Sequence, residues 1–362
     1  MELHTVTQYM NNSIQRLLKE LLKFSFKSPS QAAFITKTLA WQSKAAKLRS
    51  VHETQGLHVP AFMIASITQS CNLHCKGCYA HAQHRENSGE LDEAGLDKMV
   101  QQAKELGISI ILLAGGEPLV RKQELLSIAN AHKQVIFPMF TNGLLIDDAM
   151  LESLKTAKNL IPIVSIEGLE EATDSRRGEG VYQKLKSLFA SFKKKDIFYG
   201  ASITVNTQNL HQVTDAAFVS ELIDGGCKLF FYVEYVPVEA GTDELALGEK
   251  ERDAFMERLN GLRSKLPAFF IAFPGDEKDF GGCIASGRGF IHVSAQGNVE
   301  PCPFAPFSDS NLKDKSLREC IESDFLSKIR ENHELLTEGQ GGCALWEKQD
   351  LVKSFIAAGR AK

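Results

Sequence analysis

Six short apolar segments alternate with amphipathic segments between residues 60 and 265, and this alternation constrains the fold of the chain most strongly. The apolar segments have the length of strands and are rich in β-branched and aromatic residues. The segments between them repeat apolar residues three and four positions apart, as helices do. The alternation predicts an α/β fold, a parallel sheet curled into a partial (β/α)6 TIM-like barrel, with a functional site at the carboxyl ends of the strands. The predicted strands are 61–68, 108–114, 134–140, 161–166, 198–205 and 228–236.

The composition is that of an ordinary globular protein. Hydrophobic residues make up 43% and charged residues 24% of the 362 residues, which is enough apolar material for a large core. The formal net charge of -4 predicts no nucleic-acid partner. No apolar segment approaches the roughly 18 residues that a transmembrane helix needs, and the N-terminal residues lack a signal-peptide pattern. Eight sparse cysteines therefore predict a cytoplasmic protein that uses thiols in metal or redox chemistry.

Residues 1–58 differ from the rest of the chain in charge, because they carry eight Lys and Arg against three Glu. Apolar residues at helical spacing predict two helices, the second capped by Ser28 and ended by Gly56. One interpretation is that both helices pack on the main domain with their basic faces in water. The other is that this extension contacts an anionic membrane surface or an acidic partner, which would place the protein at the membrane periphery. The apolar positions are Ile14, Leu17, Leu18, Leu21 and Leu22 in the first helix and Phe34, Trp41, Ala45 and Leu48 in the second.

Three cysteines follow the first predicted strand as Cys71, Cys75 and Cys78, in a Cys-x3-Cys-x2-Cys pattern. Three thiolates on one loop can bind three irons of a 4Fe-4S cluster and leave the fourth iron open. A structural zinc site instead needs four closed ligands, and His74 within the loop could complete such a set. Because Cys3His zinc sites normally have their ligands in two separated pairs, the pattern favours the iron-sulfur cluster.

This triplet at the end of the first strand resembles the defining motif of the radical S-adenosylmethionine (SAM) superfamily. A second motif, Gly115-Gly116-Glu117-Pro118, follows the second predicted strand. Paired glycines let a backbone approach a ligand closely, and a carboxylate accepts hydrogen bonds from an ammonium group. The resemblance implies that this segment binds the methionyl amino group of SAM, with Glu117 as the carboxylate.

Later strand ends supply further candidates for the same pocket on the basis of this resemblance. Ser165 is expected to contact the SAM ribose, and Arg177 to pair with the SAM carboxylate through its planar guanidinium group, unless it lies in a solvated loop. Glu167 stands where relatives commonly have aspartate, and it is the candidate catalytic residue in contact with substrate. Many relatives have an aromatic residue immediately before the third cysteine, where this chain has Gly77. The other expected cofactor contacts, for which packing in the strands is the alternative, are Tyr79, Thr141, Asn142, Thr204, Asn206, Tyr235 and Val236.

Cysteines return in the last hundred residues, where Cys283, Gly297 and Cys302 form a Cys-x13-Gly-x4-Cys pattern. The Gly-Asn pair at 297 predicts a β-hairpin between the two cysteines. This segment resembles the opening of SPASM domains and of the shorter twitch domains, which hold auxiliary iron-sulfur clusters. Few cysteines follow it, so the resemblance implies one auxiliary cluster of the 4Fe-4S type. Its expected ligands are Cys283, Cys302 and Cys343, which would leave an iron open to substrate.

The two remaining cysteines are interpreted differently. Cys320 shares a predicted helix face with Leu317 and Ile321, which favours a buried core thiol, while a role as a further cluster ligand stays the alternative. Cys227 lies at the start of the sixth strand, at the end of the barrel opposite the site, and is interpreted as structural.

These observations divide the chain into a basic helical extension (1–58), a radical SAM barrel (59–270) and a twitch/SPASM-like auxiliary cluster domain (271–362). The resemblance implies an oxidoreductase that reductively cleaves SAM to methionine and a 5′-deoxyadenosyl radical, which then abstracts hydrogen from a substrate carbon. An external reductant such as flavodoxin or ferredoxin would supply the electron. The leading substrate hypothesis is a peptide or protein side chain, and the alternative is a small or lipid-like molecule such as a tetrapyrrole or a lipid. A third hypothesis, a non-catalytic iron-sulfur electron carrier, would require no SAM pocket.

Overall fold

One sheet organises the structure, a computed structural model that describes residues 3–25, 28–83, 88–273, 282–336 and 343–357. Within these residues it has nine strands, which are β1 (Phe62–Thr68), β2 (Ile111–Gly115), β3 (Phe137–Thr141), β4 (Leu160–Ser165), β5 (Gly200–Val205), β6 (Leu229–Glu234), β7 (Phe269–Phe273), β8 (Phe290–Val293) and β9 (Val299–Glu300). They lie in the order β7-β6-β5-β4-β3-β2-β1-β8-β9. All neighbours pair in parallel except β8 and β9, which are antiparallel.

The predicted α/β fold with a parallel sheet is confirmed, and the six predicted strands correspond to β1 through β6. The sheet also curls. Five strands separate β1 from β7, yet the rings of Phe62 in β1 and Phe273 in β7 have their centroids 6.3 Å apart. This contact brings the two ends of the parallel sheet together, as a partial barrel requires. A seventh strand, β7, which the sequence did not predict, pairs with β6 and extends the barrel by one parallel strand.

Helices follow most strands and cover the outside of the sheet. Several begin with an aspartate whose carboxylate accepts a backbone N–H of the first turn, as Asp92, Asp147 and Asp215 do. The helices are α1 (Leu3–Phe24), α2 (Pro29–Thr54), α3 (Tyr79–Ala82), α4 (Glu93–Leu106), α5 (Lys122–Ala131), α6 (Asp148–Thr156), α7 (Glu170–Arg177), α8 (Val181–Lys194), α9 (Leu210–Val213), α10 (Ala216–Asp224), α11 (Glu249–Lys265), α12 (Leu317–Ile321), α13 (Asp324–Glu331), α14 (Ala344–Glu347) and α15 (Gln349–Ala357).

The N-terminal helices α1 and α2 close the amino end of the barrel. Ile161 and Leu229, at the amino ends of β4 and β6, belong to a buried cluster inside the barrel, and Leu17 and Phe34 of the two helices pack against this cluster. None of the helices in the described part of the chain is long and apolar enough to cross a membrane. Because Leu17 and Phe34 pack against the buried cluster, the apolar faces of α1 and α2 complete the core of the barrel, as the first of the two interpretations expected.

Buried polar contacts fix α2 on the barrel, which the predicted apolar stripe did not foresee. Of that stripe only Ala45 is fully buried, whereas Phe34, Trp41 and Leu48 are half-buried. The Gln42 side-chain amide makes two hydrogen bonds to Ser109, since it accepts from the Ser109 hydroxyl at 2.9 Å and donates to the Ser109 backbone carbonyl at 3.3 Å. The buried Arg49 guanidinium donates to the carbonyl of Gly107, and burial lowers its pKa to about 10. These directional bonds set the orientation of α2.

The C-terminal part adds a hairpin to the barrel sheet. As predicted, the hairpin turns at Gly297, which has a φ of +88° that favours glycine. Its strand β8 pairs in parallel with β1, so it continues the sheet rather than standing apart from it. The expected boundary at residue 270 falls within β7, and segments 274–281, 337–342 and 358–362 of the predicted 271–362 domain lie outside the described residues. The division into three domains stays a prediction.

A buried polar chain joins this hairpin to β1. The Ser66 hydroxyl lies 2.8 Å from Nε2 of His292 in β8, and Nδ1 of the same ring lies 2.8 Å from Oε2 of Glu300 in β9. All three residues are buried. Because buried polar groups need partners, this chain fixes the hairpin relative to the strand that leads into the first cysteine loop.

Candidate active site

Both predicted groups of cysteines line one cavity of about 300 Å³ at the carboxyl ends of the strands. The loop between β1 and α3 contributes Cys71, Cys75 and Cys78, all of which are half-buried. The structure brings a second group from the C-terminal part of the chain to the same cavity, and this group consists of Cys283, Cys302 and Cys343. The two sets of thiols therefore face a common space.

The first cysteine loop carries thiols in contrasting electrostatic surroundings. Burial raises the pKa of the Cys71 thiol, while the N–H of Leu73 donates to its sulfur at 3.5 Å. Burial also raises the pKa of the Cys75 thiol, but the positive charges of Arg177 and Arg176 oppose that rise. Arg177 Nη1 lies 4.0 Å from Cys75 Sγ. Three thiols on one cavity wall, with a cation beside them, have the donor chemistry that an iron-sulfur cluster requires.

The paired glycines after β2 allow two loops to pack closely. Backbone N–H groups of Gly116 and Glu117 donate to the carbonyls of Thr68 and Ser70, at 2.7 Å and 2.9 Å. A Cβ atom on Gly116 would lie 2.2 Å from the Ser70 carbonyl oxygen, which is far inside van der Waals contact. The sequence analysis assigned these glycines to the approach of a ligand. Both Gly115 and Gly116 do line the cavity, but their absent side chains first make room for the cysteine loop.

Glu117 is a buried carboxylate on the cavity wall. It accepts hydrogen bonds from the Leu119 N–H at 3.0 Å, the Thr141 hydroxyl at 2.7 Å and the Asn142 N–H at 2.8 Å. Burial raises the pKa of Glu117, and these donors oppose the rise. A cationic group in the cavity would favour its charged form. Pro118, the last residue of the motif, begins a 3-10 turn and does not line the cavity.

Thr141 and Asn142 act on the site in two ways. Both line the cavity and both hold the Glu117 carboxylate. The side-chain amide of Asn142 also donates to Asn72 Oδ1 at 2.7 Å, inside the cysteine loop. The end of β3 therefore ties the loop after β1 to the carboxylate after β2.

Glu167 does not occupy the place that the sequence analysis gave it. Its side chain is almost fully buried and accepts hydrogen bonds from Arg176 Nη1 at 2.6 Å and from Arg177, whose Nε lies at 3.0 Å. The N–H of Thr204 donates to its second oxygen at 3.1 Å. Glu167 is absent from the cavity lining, whereas both arginines belong to it. The prediction of a substrate contact is corrected, because the carboxylate is used in holding the two arginines.

Arg177 lies on the cavity wall beside Cys75, and it is not part of a solvated loop. Burial disfavours its charge, but the negative charges of Glu167, Cys75 and Cys78 together raise the pKa of the guanidinium above its usual range. Arg176, which the sequence analysis did not select, lines the cavity next to it. Its only sequence signal was its position beside Arg177. The site thus places a buried anion at Glu117 and permanent cations at the arginines.

The remaining predicted contacts separate into two groups. Asn206 is not in the cavity lining, because its side-chain oxygen accepts the N–H groups of Gln208 and Asn209 at 2.9 Å and 3.0 Å and so shapes the turn after β5. That prediction is corrected. The positions that do line the cavity are Tyr79, Ser165, Thr204, Tyr235 and Val236.

An aromatic contact joins the two cysteine groups. The rings of Tyr79, which follows Cys78, and Phe304, which lies two positions after Cys302, have centroids 4.9 Å apart and a tilt of 60°. The Gln83 side chain donates to the Pro303 carbonyl at 2.7 Å nearby. Because these contacts connect the first residues of α3 with the segment after Cys302, they set the spacing of the two thiol groups.

The sequence analysis did not foresee how apolar the cavity is. Its lining is dominated by aliphatic and aromatic side chains that several strands direct to the inside of the barrel. Alternate residues of a strand face one side of the sheet, as Phe231 and Val233 of β6 do here, and this period would have been the signal. The apolar lining consists mainly of Ile64, Leu112, Ala114, Phe140, Phe231, Val233, Phe273, Phe290, Phe304 and Leu345.

The other two cysteines lie away from the cavity. Cys320 is fully buried in α12, between Leu317 and Ile321 on the packed face of that helix. Cys227 is also fully buried, and burial raises its pKa to about 12. Neither belongs to the cavity lining. Across the described residues, no three His, Cys, Asp or Glu side chains are placed as they would be around a single metal ion.

The chain is similar to known proteins in sequence and in fold. A profile of the Radical SAM superfamily matches residues 65–219. The AdoMet-dependent heme synthase of Methanosarcina barkeri is 26% identical over 336 residues, covering 84% of this chain and 92% of that protein. The PqqA peptide cyclase of Bradyrhizobium diazoefficiens is 26% identical over 331 residues, covering 87% and 80%. Streptococcus suis SuiB bound to S-adenosylmethionine shares the fold with a TM-score of 0.65 and 17% identity, over 82% of this chain and 73% of that one.

We expect Gly116→Ala to prevent cluster assembly, because the added Cβ would displace the Ser70 carbonyl and with it the cysteine loop. Iron bound per chain after anaerobic reconstitution should fall to about half that of the unmodified protein, because only the cluster site at Cys71, Cys75 and Cys78 is disturbed. Gly261→Ala is the matched control, since a Cβ at that position in α11 meets no atom within 4 Å. Normal iron content in Gly116→Ala would show that the loops tolerate separation.

We expect the eight cysteines to differ in alkylation of the native, cluster-free chain by iodoacetamide at pH 8. The thiolate is the reactive form, and with a pKa of about 12 only on the order of one Cys227 in 10,000 is ionised at that pH. Burial raises the pKa of Cys320 as well. Both should stay unmodified until denaturant is added because they are fully buried, while the half-buried Cys71, Cys75, Cys78, Cys283 and Cys343 react, as read by peptide mass spectrometry. Modification of Cys320 together with the cavity cysteines would contradict its assignment to the core.

Proposed function

The chain contains a radical SAM domain, and from this premise we propose that its cavity is the active site of a SAM-dependent enzyme that removes hydrogen from an unactivated substrate carbon. The observation that carries the proposal is the joint placement of Cys71, Cys75 and Cys78 with Glu117 and Arg177 around one cavity. A thiol triplet alone would serve an electron carrier. The cavity that these thiols line also has a carboxylate and a cation on its walls, and it therefore provides a place for SAM and substrate.

Cys71, Cys75 and Cys78 would hold a 4Fe-4S cluster. When bound, this cluster supplies the electron that cleaves SAM to methionine and a 5′-deoxyadenosyl radical. The protein residues bind and orient. Glu117 would accept the methionyl ammonium group of SAM, and Arg177 would pair with the SAM carboxylate, since each presents the opposite charge on the cavity wall.

Other cavity residues would complete the SAM site. The Ser165 hydroxyl would contact the ribose, and Thr204, Tyr235 and Val236 would border the methionyl group or the adenine. The apolar lining around them excludes water, which protects a reactive carbon radical from side reactions. These assignments rest on the positions of the side chains in the cavity.

Cys283, Cys302 and Cys343 would hold one auxiliary iron-sulfur cluster in the same cavity. Since Cys320 is buried elsewhere, three thiols are available to it in the described part of the chain, which would leave one iron open. Substrate bound between the two thiol groups would contact both sites.

A peptide or protein side chain is the substrate that we favour. The relationship to a PqqA peptide cyclase extends over most of the chain. Among the described lining residues the permanent cations are Arg176 and Arg177, and Glu167 holds both. An uncharged side chain fits this mainly apolar lining better than a group with several carboxylates would.

A tetrapyrrole is the second candidate, and a specific observation favours it. The relationship to an AdoMet-dependent heme synthase covers nearly the full length of that relative. Aromatic side chains on several walls, Phe140, Phe231 and Phe290 among them, could stack on a flat macrocycle. A shift of the porphyrin absorption band on titration with coproporphyrin III would support this candidate over the peptide.

Two partner assignments belong to the same proposal. An external reductant such as flavodoxin or ferredoxin would deliver the electron to the first cluster. The apolar faces of α1 and α2 are already packed on the barrel. A contact with an anionic membrane surface would therefore be made by the exposed cations of these two helices. The exposed cations are Arg16, Lys19, Lys23, Lys37, Lys44 and Lys47.

We expect the anaerobically reconstituted protein to form 5′-deoxyadenosine from SAM in the presence of dithionite, and Cys75→Ala to lose this activity. The reason is that Cys75 supplies one of the three thiols of the first group. Chromatography of the quenched reaction measures the product. Cys227→Ala is the matched control, because it removes a buried thiol outside the cavity. Protein that carries its clusters and yet leaves SAM intact would favour an electron carrier.

A further inference from the structure

Helix α7 binds the backbone of Lys76, which lies between the second and third cysteines. The N–H of Lys76 donates to the Arg176 carbonyl at 3.0 Å, and Arg176 Nε donates back to the Lys76 carbonyl at 3.2 Å. Both backbone polar groups of one loop residue are therefore bonded to a single residue of another element. An isolated surface loop would leave these groups to water.

Glu167 fixes the residue that makes these bonds. Its buried carboxylate accepts Arg176 Nη1 at 2.6 Å and also binds Arg177, while the Thr204 N–H of β5 donates to it at 3.1 Å. A buried carboxylate with several charge-assisted hydrogen bonds has a single orientation. The barrel therefore holds Arg176, and Arg176 holds the loop at Lys76.

The segment after β6 contacts the same loop at Gly77. The Gly77 N–H donates to Glu239 Oε2 at 2.8 Å. A Cβ on Gly77 would lie 2.4 Å from the Tyr235 hydroxyl oxygen and 2.7 Å from the ring carbon Cε2. The Tyr235 ring thus fills the space that a side chain at 77 would need, and the φ of Gly77, +66°, also favours glycine.

The two groups that contact Gly77 are linked to each other. The Tyr235 hydroxyl donates to Thr242 Oγ1 at 2.9 Å, and the Thr242 hydroxyl donates to the Glu239 carbonyl at 2.6 Å. The ring and the carboxylate therefore belong to one hydrogen-bonded turn. This turn approaches Gly77 as a unit.

We propose that Glu167, Arg176, Tyr235 and Glu239 form a clamp that holds residues 75–78 in the cluster-binding conformation before any cluster is present. The purpose of the clamp rests on the proposed function, but its existence does not. All four are positioning residues for this loop: Glu167 acts through Arg176, which bonds the Lys76 backbone, and Glu239 and Tyr235 contact Gly77. Tyr235 in addition borders the proposed SAM site. In this chain a tyrosine from the end of β6 takes the space next to the third cysteine that residue 77 leaves empty. A loop that is already ordered loses less conformational entropy when its three thiols bind one cluster.

The clamp is tested by proteolysis of the full-length, cluster-free chain with a lysine-specific protease, because Lys76 is exposed and its backbone is held. Peptide mass spectrometry follows cleavage after Lys76, with cleavage after the exposed Lys98 of α4 as the internal reference. Tyr235→Ala and Glu239→Ala should each speed cleavage after Lys76 at least tenfold without changing Lys98. The conservative changes Tyr235→Phe and Glu239→Gln keep the ring and an acceptor oxygen, so both should stay within about twofold of the unmodified chain.

A second readout uses the loaded protein. The rate at which a ferrous chelator removes iron should rise at least fivefold in Tyr235→Ala and Glu167→Ala, and should be restored in Tyr235→Phe. Unchanged cleavage after Lys76 in both alanine variants would overturn the clamp, and so would equal acceleration at Lys98, which would indicate general unfolding. The proteolysis needs neither SAM nor cluster. The clamp can therefore be confirmed even if the protein does not cleave SAM. The protein can likewise be shown to cleave SAM even if the clamp is disproved.

Discussion

The close approach of the loops that follow β1 and β2 is the constraint on which the rest of the site depends. Two backbone hydrogen bonds, from Gly116 to Thr68 and from Glu117 to Ser70, join these loops where the parallel strands end. Only glycine at 116 permits this distance. The three thiols and the Glu117 carboxylate consequently share one wall of the cavity, and the end of β3 strengthens that wall through Asn142. The proposed chemistry requires this proximity of cluster ligands and ammonium acceptor.

Buried polar groups then position the other walls. Glu167 holds Arg176 and Arg177 at the end of β4, which keeps a permanent cation beside Cys75 in an otherwise apolar cavity. The chain from Ser66 through His292 to Glu300 performs the corresponding role for the C-terminal hairpin. Because Glu300 lies two positions before Cys302, this chain helps to position Cys302 in the same cavity as the first thiol group. Charges that would be costly in isolation are stable here because each is paired.

The sequence predicted the parts of the structure that depend on local patterns. The six strands, the hairpin at Gly297 and the two cysteine groups each lie in short segments whose spacing carries the information. Contacts between different structural elements could not be predicted in this way. The strand pairing of β8 with β1, the Tyr235 ring beside Gly77 and the arginine pair on Glu167 each join residues with no shared pattern. Glu167 was therefore assigned to substrate and Asn206 to the cofactor, although burial and a tight turn use their side chains within the protein.

SAM is proposed to bind at a cluster held by Cys71, Cys75 and Cys78. Electron paramagnetic resonance can test this binding in the reduced, reconstituted variant in which Cys283, Cys302 and Cys343 are all alanine, because only the first thiol group remains in the cavity. We expect the signal of a single 4Fe-4S cluster whose g values shift when SAM is added. A signal that SAM leaves unchanged, or the absence of any cluster in a variant that remains folded, would contradict it.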